Sequence, residues 1–278
     1  MKDSHLCQFA SKRLKSLDHI DKMCYPEEIL LKNAPKFQRS AKLSPVLKRS
    51  LSENPHVLFE VKKASPTLGE ITQVTAEELS DKFLDMGARA ISVLVDPVNF
   101  GGHPDDLAHC VEACPQVPFL WKDFVLGEYQ VRLAKYLGAS AVLLMTQLLE
   151  DEVLKDLFQL CQSLEIEAFV ETHTPEELEF ALSLNPSMVG INARDFSTPG
   201  LPIDLSTASS LLREVQPNWP AETVLVAQSG ISSLLDLKDV LAGMPEGLPD
   251  AVQIGSGVSG ANGLPLDLLA ALQLPTSS

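Results

Sequence analysis

From residue 56 onward the chain alternates short apolar runs with longer amphipathic segments. The runs fall at 57–61, 90–95, 117–121, 140–145, 166–171, 187–192, 223–227 and 251–254, each bounded by turn-forming residues, and short bounded runs of this kind read as buried strands. Between and after them, apolar positions recur at helical spacing near 75–86, 104–114, 127–137, 150–164, 174–184, 205–215, 231–242 and 263–272. Several of these segments open on helix-start chemistry, as in Thr75-Ala-Glu-Glu and Thr174-Pro-Glu-Glu. Eight strand–helix units in about 220 residues predict an α/β fold of the (β/α)8 TIM-barrel type. An open doubly wound sheet is the competing layout. It is disfavoured because no G-x-G-x-x-G follows the first run and polar residues recur at the C-terminal end of nearly every run. Residues 1–50 carry a different pattern: Leu6, Phe9, Leu14, Leu17, Ile20 and Met23 recur at roughly helical spacing, predicting an N-terminal extension of two or three helices.

Composition narrows the class. Hydrophobic residues make up 45% and charged residues 21%, as in an ordinary folded domain. No run is long enough to span a membrane, and the start, Met1-Lys2-Asp3-Ser4-His5, lacks the apolar core of a secretion signal, so a cytoplasmic protein is expected. The five cysteines are scattered without a C-x-x-C spacing, which supports neither a disulfide framework nor a zinc site. His103, His109, Cys110 and Cys114 are close in sequence, but their segment reads as an amphipathic helix, so no metal is expected. Residues 1–55 carry 11 Lys and Arg against 6 Asp and Glu, and the remainder 11 against 31. An acidic body excludes nucleic acid and anionic membrane as expected partners; an anionic ligand would need a local cationic island.

Such an island stands at the end of the first run. In a strand, Glu60 and Lys62 point to one face, and Ser65-Pro66 then turns the chain where an anion could be held. A structural ion pair at the barrel rim is the plainer reading of this stretch. Because the active face of such barrels lies at the strand C-termini, the other ends matter too. They supply Asp96 and Asn99-Phe-Gly-Gly, Lys122-Asp123-Phe124, Glu171 with His173, Asn192 with Arg194, Gln228-Ser229-Gly230, and Gly255-Ser256-Gly257. The Gly/Ser pattern after the last two strands suits backbone binding of phosphate.

Together, Phe59-Glu-Val-Lys-Lys-Ala-Ser-Pro, Ile91-Ser-Val-Leu with Phe100-Gly-Gly, Trp121-Lys-Asp-Phe with Glu128-Tyr-Gln, Val170-Glu-Thr-His, Gly190-Ile-Asn-Ala-Arg and Ser229-Gly-Ile resemble the indole-3-glycerol phosphate synthase family of tryptophan biosynthesis. The resemblance covers nearly the whole chain. It implies an extension (1–55) covering the mouth of a barrel (56–278), together one domain. It further implies a carboxy-lyase that converts 1-(2-carboxyphenylamino)-1-deoxyribulose 5-phosphate to indole-3-glycerol phosphate, without cofactor or metal, with tryptophan-pathway enzymes as possible partners. Carried over residue by residue, Lys122 is the general acid of ring closure and Glu171 its proton-accepting or charge-stabilising partner. Lys62 holds the substrate carboxylate or serves dehydration, Glu60 orients the lysines, and Asn192 bonds a ribulose hydroxyl. Phe124, Arg194 and Gln228 are implied at the substrate; Ser65, Ser229, Gly230, Gly255 and Ser256 at its phosphate. Lys63 and His173 stay outside the catalytic set.

The chain departs from the family where Glu-Ser-Gly-Ile is usual and Gln228-Ser229-Gly230-Ile231 stands instead. The amide keeps size but removes a charge, a difference of about 1.5–3 kcal/mol at most, and a Gln228→Glu variant is expected to be at least as fast as the parent. Asp96-Pro97 also stands where Glu-Pro is more usual. Two other readings stay open: a different phosphate-binding barrel enzyme, and a catalytically weakened member serving as a pathway scaffold.

Overall fold

A computed structural model describes residues 5–32, 36–37, 41–215, 219–246, 248–255 and 264–273. Eight parallel strands close into a barrel in chain order: β1 (His56–Val61), β2 (Ala90–Leu94), β3 (Phe119–Lys122), β4 (Ala141–Met145), β5 (Glu167–Thr172), β6 (Met188–Asn192), β7 (Val224–Gln228) and β8 (Ala251–Ile254), which pairs back with β1. A helix follows each, from Ala76–Asp85 after β1 to Leu266–Ala271 after β8. All eight apolar runs are therefore strands, with bounds moved by a residue or two. The third run begins late because Pro118 has no N–H for the ladder, although its carbonyl still accepts from the Ile91 N–H.

Alternation along each strand sorts side chains into two cores. On β1, Val57, Phe59 and Val61 face the helices, while Leu58 faces the barrel interior with Leu120, Leu143, Phe169 and Val226. Glu60 shares the inward parity of Leu58, which is why a carboxylate lies 4% exposed inside the molecule. Helix starts behave as their chemistry requires: the Thr75 hydroxyl accepts from the Glu78 N–H and the Glu78 carboxylate accepts from the Thr75 N–H.

The N-terminal segment touches both ends of the barrel. Helix His5–Ser16 lies at the C-terminal end, where its fully buried Arg13 pairs with Asp123, just past β3, at 2.8 Å and with Asp21 at 2.6 Å. A wide π-helical turn, Leu17–Asp21, carries Asp21 back alongside Arg13. At the opposite end, helix Leu43–Leu47 buries Leu43 and Leu47 completely against the interior cluster, worth about 1.5–3 kcal/mol per side chain. Glu167, the first residue of β5, receives the Ser44 N–H at 3.1 Å, the Leu43 N–H and the Ser44 hydroxyl, so an anion caps that helix.

Candidate active site

The C-terminal strand ends open on a cavity of about 300 Å³. Glu60 from β1 with Lys62 just past it, Lys122 from β3, Asn192 from β6 with Arg194 just past it, and Gln253 from β8 with Gly255 just past it line it, together with Ser65, Ser229 and Gly230. Glu60 is the hub. One carboxylate oxygen pairs with the Lys62 ammonium, and the other lies 3.6 Å from Lys122 Nζ and accepts from Gln253 Nε2 at 2.6 Å. Burial opposes its ionisation, but Lys62 and Lys122 outweigh burial and hold the carboxyl below the usual range. Lys122 Nζ also lies 3.9 Å from Glu171 Oε2, so one ammonium stands between two inward-facing carboxylates.

Local sequence makes room for this crowding. A Cβ on Gly255 would overlap Glu60 Oε1 and come within 3.2 Å of Lys62 Nζ, so the glycine leaves room for the ion pair beside it. A Cβ on Gly190 of β6 would overlap Gln228 Oε1 and lie 2.8 Å from the Phe169 ring. After β7, Ser229 takes a positive φ of 70°, a conformation that costs energy for a residue with a side chain, and Gly230 follows at 84°. The N–H groups of Ser232 and Ser233 are already taken by Asp236 at 2.9 and 2.8 Å. On β6, Asn192 Oδ1 accepts from the Arg194 N–H at 3.0 Å, which fixes the amide plane and turns its NH2 end away from that contact.

Of the residues singled out from sequence, Glu60, Lys62, Lys122, Asn192, Arg194, Ser65, Ser229, Gly230 and Gly255 share the cavity wall. Glu171 lies behind it, 1% exposed, with Oε2 buried and without a hydrogen bond. Phe124 also stands back: it stacks on Phe9 of the N-terminal helix at 6.0 Å between centroids and packs on Phe100 and Phe196, which do reach the cavity. Gln228 sits beneath Gln253, donating to its Oε1 at 2.7 Å. Ser256 lies outside the described residues.

Sequence reading missed two contributors, Gln253 and Arg13, and set a third, His173, outside the catalytic set. Gln253 is the polar member of the run Ala251-Val-Gln-Ile, with the inward parity of Gly255, and that parity was the available signal. The His173 imidazole, its side chain 7% exposed, stands 3.8 Å from Glu171 Oε1 and 3.5 Å from Glu177 Oε2. Burial opposes its protonation, but Glu177 and Glu171 prevail and raise its pKa. Arg13 carried no signal at all, since its partner Asp123 is 110 positions away. None of the five cysteines, all among the described residues, is in a disulfide; burial pushes the Cys110 and Cys161 thiols up to about 12, as inert core groups. Among the described residues, no cluster of His, Cys, Asp or Glu could hold a metal ion, and no helix is long and apolar enough to cross a membrane.

A closed parallel barrel whose strand C-termini bring two lysines, a glutamate and an asparagine to one cavity, with a second glutamate buried behind it, has the architecture of a TIM-barrel enzyme. The family model for indole-3-glycerol phosphate synthase matches residues 9–259, and the chain belongs to that family. Indole-3-glycerol phosphate synthases from Carboxydothermus hydrogenoformans (41% identical, covering 66% of this chain and 68% of the relative), Mycolicibacterium smegmatis (38%, 73% and 71%) and Deinococcus radiodurans (36%, 82% and 81%) are among its relatives. Among solved structures, thiamine phosphate pyrophosphorylase from Pyrococcus furiosus superposes with a TM-score of 0.54 at 18% identity over 84% of this chain and 96% of that one, a likeness of fold.

Proposed function

We propose that the chain closes the indole ring: it condenses, decarboxylates and dehydrates 1-(2-carboxyphenylamino)-1-deoxyribulose 5-phosphate to indole-3-glycerol phosphate. The observation that carries this reading is the Lys62–Glu60–Lys122–Glu171 sequence of alternating charges, three on the cavity wall and Glu171 just behind it. Ring closure requires the aromatic carbon to attack the ribulose carbonyl while its oxygen gains a proton. Lys122, held between Glu60 and Glu171, donates that proton from Nζ. Lys62 pairs with the substrate carboxylate until carbon dioxide leaves. The ring nitrogen is cationic in the intermediate, and Glu60 and Glu171 offset that charge inside a shielded site. Dehydration then removes one proton and expels one hydroxyl as water; Glu171 takes the proton, and Lys62, or Lys122 once it has regained a proton from water, protonates the leaving hydroxyl.

Asn192 offers its NH2 to a ribulose hydroxyl, and Phe100 and Phe196, braced by Phe124, cover the aromatic ring. Backbone N–H groups at Ser229, Gly230 and Gly255, with Ser65 and Arg194, form the anion end, the N–H groups of Ser232 and Ser233 being engaged by Asp236. Ser256 would extend that end. A cytoplasmic location and contacts with tryptophan-pathway enzymes accord with this role. Incubating the protein with the substrate and following indole fluorescence tests it. Product from the parent, and a loss of about 10²–10⁴-fold in kcat for Lys122→Met, is the expected result; no product from folded parent protein would sink the reading and favour another barrel activity or a scaffold role.

A further inference from the structure

The geometry points to Gln253 and Gln228 as a two-amide relay that positions Glu60, with Gln228 required as an amide by the relay's polarity. This deepens the proposed function and, for its kinetic consequences, rests on it. Three buried side chains form an unbroken line: Gln228 Nε2 donates to Gln253 Oε1 at 2.7 Å, and Gln253 Nε2 donates to Glu60 Oε2 at 2.6 Å. They are 2%, 5% and 4% exposed. Glu60, ionised beside two lysines, can only accept at this point, so Gln253 must turn its nitrogen toward it. The Gln253 oxygen then faces Gln228, and only a donor can stand there. Gln228 donates, and its own oxygen is left buried without a partner in the space cleared by Gly190. A buried orphan acceptor is unfavourable. Its presence at the far end shows that the order of the line is imposed from the Glu60 end.

The relay fixes which carboxylate oxygen does what. Gln253 holds Oε2, the oxygen that faces Lys122, while Oε1 pairs with Lys62. Both lysines therefore take their places from a carboxylate that cannot turn freely. A glutamate at position 228 would set an acceptor against the Gln253 oxygen; turning the Gln253 amide over would instead aim that oxygen at Glu60. The first outcome leaves two acceptors face to face at the end of the line, and the second costs Glu60 its donor. This reverses the expectation, raised by the family's usual glutamate, that Gln228→Glu is at least as fast as the parent. Gln253 and Gln228 are positioning residues, acting through Glu60 on the lysines.

The test uses the full chain with Gln253→Met, Gln228→Glu and the double variant, each checked for folding by circular dichroism, and Gln253→Leu as the substitute should the methionine variant not fold. Gln253→Met is expected to lower kcat by about 10- to 100-fold, the size of one hydrogen bond to a charged group, with KM within about threefold and the acid limb of the kcat profile moved to higher pH. Gln228→Glu is expected to lower kcat by about tenfold in the parent and to cost nothing further beside Gln253→Met, because the two act through one line. Independently of turnover, the Glu60 carboxyl resonance, assigned with Glu60→Gln, should titrate at higher pH in Gln253→Met. An unmoved Glu60 titration, or a Gln228→Glu variant as fast as the parent, would overturn the relay. An inactive parent would instead overturn the functional reading, and the relay would be judged on the Glu60 titration alone.

Discussion

Glu167 and Glu171 lie on one strand, point to the same interior and are separated by a single inward residue, Phe169, yet they are opposites. At the N-terminal end, Glu167 accepts from two backbone N–H groups and a hydroxyl of the capping helix. At the C-terminal end, Glu171 has a buried oxygen without a hydrogen bond, an ammonium at 3.9 Å and an imidazole at 3.8 Å. A carboxylate surrounded by fixed donors stabilises the fold and has nothing left to give. One facing movable protons at almost bonding distance is stabilised less and is free to exchange them.

That contrast can be broken at either end. The largest effect is expected from Glu171→Gln, which keeps the shape but removes proton affinity: kcat should fall by about 10²–10⁴-fold while the urea unfolding midpoint stays close to the parent's. If the midpoint collapsed and turnover per folded molecule survived, Glu171 would be structural like its neighbour. The reciprocal variant, Glu167→Gln, turns one acceptor oxygen into a donor against the donors of the Leu43–Leu47 helix. Stability should drop by about 1–3 kcal/mol in urea unfolding, with kcat per folded molecule unchanged; altered turnover would show that the two ends are coupled through the barrel.

The smallest effect separates the surroundings of Glu171 from those of Glu167. His173, between Glu171 and Glu177, holds its proton to a higher pH in the fold than its ordinary 6.5. Since the folded value is the raised one, the stabilisation is fully present below about pH 6.5 and is lost as pH rises through the folded value. Unfolding of the parent should therefore lose stability over that rise, and His173→Gln should remove this component of the slope. Equal pH slopes in parent and variant would place the imidazole outside the electrostatics of Glu171.

Much of the fold could be read in advance because it depends on local chemistry. Apolar runs, helix-start residues and their strict alternation specify eight strand–helix units, and the polar residues at nearly every strand end, with no dinucleotide fingerprint after the first, favour their closing into a barrel. Most of the cavity wall was also legible, since a barrel displays the C-terminal residue of every strand on one face, so that Glu60, Lys62, Lys122 and Asn192 converge by topology alone. Phe124 is the instructive partial case: its place beside Lys122 was readable, but its role as a brace under Phe100 and Phe196 depends on Phe9, from a helix more than 100 residues earlier.

What the amino-acid sequence determined by itself is thus the set of elements, their order and the residue types at the strand ends. Tertiary structure alone decided three further things. Arg13 is buried between Asp21 and Asp123, because an ion pair joining distant segments leaves no periodic trace. The N-terminal segment divides between the two ends of the barrel, since its apolar residues and the carboxylates Asp123 and Glu167 that hold it meet only once the barrel has closed. The direction of the Gln228–Gln253–Glu60 line appears only when the amides meet across strands, because a glutamine gives or accepts according to its neighbour, and neighbours in a barrel are set by closure.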